Sequence, residues 1–256
     1  MRTSAQLPSF TNPMEPIWVR AVLEPVAIPL TRLLVRTPWL TPNRLTAIAG
    51  LFGVASAAAF LHGSLLLGAV LFELRFLVDC LDGMVARARR LTSARGAAFD
   101  LATDVVTITL AYAGLALYAV ENHGAAPALI AVLAGGSAVS AWMIAARKPL
   151  VHLLGEPAGP PEPGGRGGLL GRYADWMKAR GMTPLPYTVE AETFGLFLTP
   201  AIAAFFPGLL VPCLLATAAF YVASTFVNAA RLLRVAGRLD RLKEAHPLDS
   251  SVGPAS

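Results

Sequence analysis

Four aspartates, Asp79, Asp82, Asp100 and Asp104, fall within one stretch of 26 residues, DCLDGMVARARRLTSARGAAFDLATD, of an otherwise apolar chain. The first two stand three residues apart and the last two four apart, so on helices each pair projects from one face. Two neighbouring helices then present four carboxylates to one point. Unpaired beside hydrocarbon, such a cluster repels itself, and a divalent cation held by oxygen ligands is its economical partner. The chemistry these residues suggest is therefore that of a metal centre.

The elements that must position the aspartates are membrane helices. The chain has 256 residues, 55% of them hydrophobic and only 14% charged, with mean hydropathy +0.58, which is too apolar for a soluble domain of this size. Cys80 and Cys213 lie in apolar segments with neither metal-ligand spacing nor a disulfide framework. Residues 1–14 are polar and punctuated by proline, without the apolar core of a signal peptide. Residues 15–38 mix apolar side chains with Arg20, Glu24, Arg32 and Arg36 and are interrupted by Pro25 and Pro29, which reads as an interfacial helical segment. Thr41 caps a helix and Pro42 suits its first turn. Apolar runs then follow at 43–62, 64–87, 97–120, 126–146, 189–207 and 209–232, each near the ~20 residues that cross ~30 Å of hydrocarbon. The expected fold is an all-α integral membrane protein: an N-terminal interfacial segment over 1–42, six transmembrane helices over 43–232 and a cytosolic tail over 233–256. Residues 155–171 are rich in Gly and Pro and read as a flexible linker, with RYADWMKARGM after it as a short surface helix.

Charge orients these spans. Twenty of the 21 basic residues fall on the side of the termini and of the second-to-third and fourth-to-fifth connections, with Arg75 the exception inside a span. The positive-inside bias makes that side cytosolic, with both termini there and the protein multi-pass in the cell membrane. The aspartates then lie at the cytosolic edge, facing water-soluble substrates and lipid at once. This bias also accounts for the basic residues without nucleic acid as a partner. Arg75, one turn before Asp79, fits either a buried ion pair or a substrate contact. His62, His123, His152 and His246 share no spacing and read as surface residues. Glu190 and Glu192 suit the positive end of the fifth span. The run AVLAGGSAVSA offers small residues for close helix packing, within or between subunits.

Written as spacings, the central stretch is Asp79, two residues, Asp82-Gly83, two residues, Ala86-Arg87, eight residues, Gly96, three residues, Asp100, three residues, Asp104. This pattern resembles the signature of the CDP-alcohol phosphotransferase family of membrane phospholipid-synthesis enzymes. Residues 41–46, TPNRLT, look like the segment opening the first span in many members, and the six-span plan is similar too. The resemblance does not extend to residues 149–188 or to the last two spans.

The resemblance implies a transferase that moves a substituted phosphate from a CDP-linked donor to an alcohol acceptor and releases CMP. It implies two Mg2+ or Mn2+ ions, with Asp79, Asp82 and Asp100 as ligands. Asp104 would contact the second ion and act as the base. Gly83, Ala86, Arg87 and Gly96 would bind the nucleotide and diphosphate, with Asn43 and Thr46 fitting either nucleotide contact or helix initiation. It also implies a homodimer. Arg147, Lys148 and Arg231 are candidates for the acceptor, although positive-inside bias or attraction of anionic lipid explains Arg147 and Lys148 as well. Leu101 and Val105 stand where glycerol-phosphate-using members carry proline and lysine, which leaves the acceptor open. Two rival readings are a prenyl-diphosphate transferase, which needs a second, distant Asp motif that this chain lacks, and a cation carrier using the aspartates as an ion site.

Overall fold

The fold is described from a computed structural model covering residues 10–153, 168–183 and 188–245. All its regular elements are helices, and the only extended pairing among the described residues is an isolated bridge between Glu15 and Met182. A π-helical turn, Val19–Leu23, leads into α1 (Glu24–Leu34); α2 (Pro42–Leu61), α3 (Leu65–Ala88) and α4 (Ala94–His123) follow. The next, α5, is continuous through Ala128–Ile130, the π-turn Ala131–Gly135 and Gly136–Leu153. After α6 (Leu169–Lys178), α7 joins Thr188–Glu192, the π-turn Thr193–Leu198 and Thr199–Ala203, and α8 (Leu210–Ala245) closes the fold.

Among the described residues, four segments are long and apolar enough to cross a membrane: Pro42–Leu61, Ala94–His123, Ala128–Val151 and Pro207–Leu242. The other two expected spans exist as helices but differ in ways their sequences explain. In α3, Glu73, Arg75, Asp79 and Asp82 interrupt the apolar run. At 1.5 Å per residue, α7 rises only about 24 Å before Ala203. The boundary expected at 232 moves: α8 continues unbroken to Ala245, about 54 Å in all, so the first half of the expected tail is helix. Of the expected linker, residues 155–167 lie outside the described residues, while 169–171 are already the first turn of α6, the predicted surface helix.

The N-terminal segment also departs from expectation. Pro25 and Pro29 do not interrupt it. The chain widens into the π-turn just before Pro25, with Glu24 N bonded to Val19 O, and Pro29 is carried inside α1. The segment packs lengthwise along α3. Val19 and Leu23 meet Phe76, Ala27 meets Leu81 and Met84, and the Arg89 guanidinium just past α3 donates to the carbonyls of Leu34 (2.5 Å), Thr37 (2.7 Å) and Leu40 (2.7 Å). Its other end is held by a buried Arg20–Glu24 ion pair at 2.6 Å, with Arg20 also donating to Gly181 O. Burial raises the Glu15 carboxyl above its ordinary range, opposed by a hydrogen bond from Asn12 and by the charges of Arg87 and Arg20.

The main core joins α2, α4, α5, α7 and α8 through Phe60, Tyr112, Leu115, Leu133, Leu196 and Tyr221. Tyr112 Oη donates to Ala191 O at 3.1 Å and accepts from Tyr221 Oη at 3.3 Å. Two glycines set the distance between α2 and α4. A Cβ on Gly53 would lie 2.5 Å from Thr107 Cβ, and one on Gly114 would lie 2.5 Å from Ala57 O. The α2 helix therefore presses backbone-close against α4, the mode of packing that small residues permit in membranes. In the small-residue run of α5, Gly136 packs within the chain, since its Cβ would sit 3.0 Å from Tyr221 Cβ.

Gly53→Val forces α2 from α4, and overpacking of this kind costs roughly 1–3 kcal/mol. Thermal unfolding in detergent should show a clearly lowered midpoint, while Gly135→Ala, where a Cβ meets nothing within 4 Å, leaves it in place. Equal midpoints for the two variants would show that the α2–α4 distance is not set by this contact.

Candidate active site

Ser93 caps α4 through a 3.0 Å hydrogen bond from Gly96 N, and Thr41 caps α2 through one from Arg44 N at 3.4 Å. These caps set the register of α2 and α4 at the same end of the bundle as the last turns of α3. Asp79 and Asp82 of α3 thereby meet Asp100 of α4, with one carboxylate oxygen from each lying within 4.8 Å of the others. Asp82 is buried, and Thr46 Oγ1 donates to its Oδ2 at 2.5 Å. Three hard oxygen donors converging on one point fit Mg2+ or Mn2+ and suit softer metals poorly.

Asp104 stands one turn along α4 from Asp100, its carboxyl close enough to Asp79 for the two to interact. Its Oδ1 is paired with Arg75 Nη2. Arg75 is 2% exposed, so of the two readings of this residue, the structure gives the buried ion pair. Arg75 consequently fixes the fourth aspartate beside the other three.

A cleft of about 180 Å³ opens next to the carboxylates. It is lined by Asn43, Thr46, Asp82, Gly83, Ala86, Arg87, Gly96 and Asp100 among others, so every residue expected to contact the nucleotide or diphosphate faces one space. Gly83 makes room there for a neighbour: a Cβ at this position would be 3.3 Å from Arg87 Nη1. At Gly96 a Cβ would crowd Ser93 Oγ at 3.1 Å and approach Asn43 Oδ1 at 3.6 Å, narrowing the cleft at its mouth. Arg147 and Arg231 are half-buried on α5 and α8 and do not line this cleft; the Lys148 side chain lies outside the described residues.

Several partners escaped the sequence reading. Trp18 Nε1 donates to Glu73 Oε1 at 2.8 Å, and Ile17 N donates to Glu190 Oε1 at 2.8 Å, so Glu190 receives the start of the N-terminal helix as well as opening α7. The Arg20–Glu24 pair had a usable signal in its four-residue spacing. The long-range bonds of Ile17 and Trp18 had none.

The comparisons with known proteins agree with this geometry. Residues 39–159 match the sequence profile described as CDP-alcohol phosphatidyltransferase. The match covers just under half of the chain, and the aspartates and the cleft lie inside it, so this part of the chain is similar to the CDP-alcohol phosphatidyltransferase family. A bifunctional IPC transferase and DIPP synthase of Rubrobacter xylanophilus is 38% identical over 103 residues, covering 39% of this chain and 23% of that protein. The match therefore spans less than a quarter of that relative's length. Among solved structures, the Mycobacterium tuberculosis phosphatidylinositol phosphate synthase with CDP-DAG bound aligns over 81% of this chain and 93% of its own, with TM-score 0.57 and 22% identity. The same enzyme in complex with manganese and citrate aligns over 81% and 88%, with TM-score 0.58 and 22% identity. At that identity the likeness is one of fold; the long apolar helices, together with the family match, mark the chain as an integral membrane protein.

The hydroxyl of Thr46 orients Asp82, and losing such an outer partner typically weakens metal binding about 10- to 100-fold. Thr46→Val should show that loss in a Mn2+ titration followed by EPR; unaltered affinity would mean that Asp82 needs no help from Thr46.

Proposed function

We propose that this protein transfers a substituted phosphate from a CDP-linked donor to an alcohol acceptor, releasing CMP. The observation that carries this reading is the convergence of Asp79, Asp82 and Asp100 within 4.8 Å at the edge of a cleft that also holds Gly83 and Arg87. A cation carrier needs the carboxylates but not the cleft, and a prenyl-diphosphate transferase has no use for the rest of the pattern.

Asp79, Asp82 and Asp100 would hold the divalent ions, Mg2+ or Mn2+, with Asp104 contacting the second of two. When bound, these ions neutralise the diphosphate charge. Arg87 offers a guanidinium to a phosphate of the donor from the cleft wall. Asp104, held in place by Arg75, takes the proton from the acceptor hydroxyl. The hydroxyl oxygen bonds to the β-phosphorus while the bond from that phosphorus to the bridging oxygen breaks. The electron pair of the broken bond leaves on the α-phosphate of CMP.

The membrane arrangement belongs to the same proposal: six spans including α3 and α7, both termini cytosolic, the site on the cytosolic side of the cell membrane, and a homodimer. In this topology α5 and α8 run in the same direction. Arg147 follows Gly136 by eleven residues and Arg231 follows Tyr221 by ten, and Gly136 and Tyr221 touch, so the two arginines reach a common level. With Lys148 they form the acceptor-binding group, suited to an acceptor that carries a phosphate. The donor is CDP-diacylglycerol or a CDP-linked headgroup. The first of these is the molecule bound in the mycobacterial structure.

The test is CMP release by the purified protein in lipid, given labelled CDP-diacylglycerol or CDP-headgroup donors, a panel of acceptors and Mg2+. Release should depend on an acceptor, stop with EDTA and return with Mg2+ or Mn2+. No CMP from any donor would sink the proposal. Asp104→Asn should cost at least ~100-fold in turnover while CDP binding survives, and near-normal turnover would remove Asp104 from its role as base.

A further inference from the structure

One residue of the cleft wall, Arg87, is held by a segment that lies outside both the aspartate pattern and the matched residues 39–159. Arg87 Nε donates to the backbone carbonyl of Phe10 at 2.7 Å. On its other side the guanidinium lies over Gly83, whose missing Cβ leaves 3.3 Å to Nη1. One edge of the group is thus held by the N-terminal segment, and the remaining edge stays beside the cleft. The choice of partner matters. A carboxylate bonded at this position would form an ion pair with Arg87, whereas a carbonyl orients the group without one, and Glu15 acts on it only through space.

Phe10 is itself anchored, with its ring packed in the apolar cluster of Ala27, Leu81 and Met84. From there the chain runs to a second anchorage, where Glu15 N donates to Gly181 O at 3.0 Å and Thr183 N to Glu15 O at 2.9 Å. The buried Arg20 clamps the same place from the side, bonding the carbonyls of Asn12 and Gly181. A segment fixed at both ends in this way holds its carbonyl still, as an ordinary surface arm does not.

We propose that residues 10–20 form a strap belonging to the donor site, with Phe10 as the positioning residue that sets Arg87 for a donor phosphate. The proposal rests on the CDP-linked donor of the preceding section. Fixing Arg87 beforehand spares the ordering of a long side chain when the donor binds, so the strap acts on donor affinity more than on turnover.

The experiment uses the full chain in lipid nanodiscs with CDP as the probe. Phe10→Ala should weaken CDP binding and raise the donor KM roughly tenfold with kcat within about twofold, and Phe10→Leu, which keeps the apolar anchor, should restore both. In an Arg87→Lys background, which lacks Nε, Phe10→Ala should add no further loss, because the two residues act through one contact. Hydrogen exchange on the unaltered protein supplies an arm that survives any misfolding of the variants: saturating CDP should slow exchange of the strap amides, since a ligand that uses the strapped Arg87 stabilises the strap. Additive losses in the double variant, or CDP binding with strap exchange unchanged, would overturn the strap proposal. Failure of the unaltered protein to bind CDP at all would instead overturn the proposed function.

Discussion

The structure depends on holding like charges together where water is scarce. With Asp79, Asp82 and Asp100 no more than 4.8 Å apart, two ionised carboxylates repel by about 3.5 kcal/mol at an effective dielectric of ~20. Three such pairs amount to a sizeable part of the ~5–15 kcal/mol that keeps a domain folded. The arrangement therefore has to be imposed by the helices and relieved by a cation or by protonation. Every packing feature around the site serves the first need: capped starts of α2 and α4, glycines that let α2 lie against α4, and a threonine on α2 that grips Asp82.

The same rule of local compensation governs the other charges inside the apolar body. Arg75 meets Asp104, Arg20 meets Glu24, and Glu73 takes the Trp18 indole N–H. None of these is a surface ornament, since Arg75 and Glu24 are each 2% exposed. Removing one partner of such a pair leaves a buried charge without compensation, the costly case for membrane and soluble proteins alike. These pairs offset charges beside the site, whereas Asp79, Asp82 and Asp100 stand together as a concentrated negative cluster.

How much of this could be read from the chain divides along physical lines. Regular spacing survives folding, so Asp79 and Asp82 on α3 meeting Asp100 on α4 and the Thr41 cap were legible, while the grouping of Asn43, Gly83, Arg87 and Gly96 on one cleft was implied by the family resemblance and not by spacing. Helix ends were less so, because α8 passes its apolar run on the strength of good helix formers and its end at Ala245 lies well beyond the hydrophobic boundary. The proline-rich start misled, since Pro25 and Pro29 usually signal interruption and a π-turn absorbed the first of them. The tethers of the N-terminal segment were not legible at all: Arg20 to Gly181 and Ile17 to Glu190 join residues 161 and 173 positions apart, with no periodicity to announce them.

Those tethers have a bearing on how the protein is made. Glu190 leaves the ribosome 173 residues after its partner Ile17, which at ~5–20 residues per second is roughly 9–35 s of synthesis. The aspartates of α3 and α4 are complete well before that, and for this interval they stand without the N-terminal turn in its final seat. Loop closure over such separations is slow compared with local helix pairing. The α3–α4 hairpin thus has its local partners well before the tethers of Ile17 and Arg20 can close.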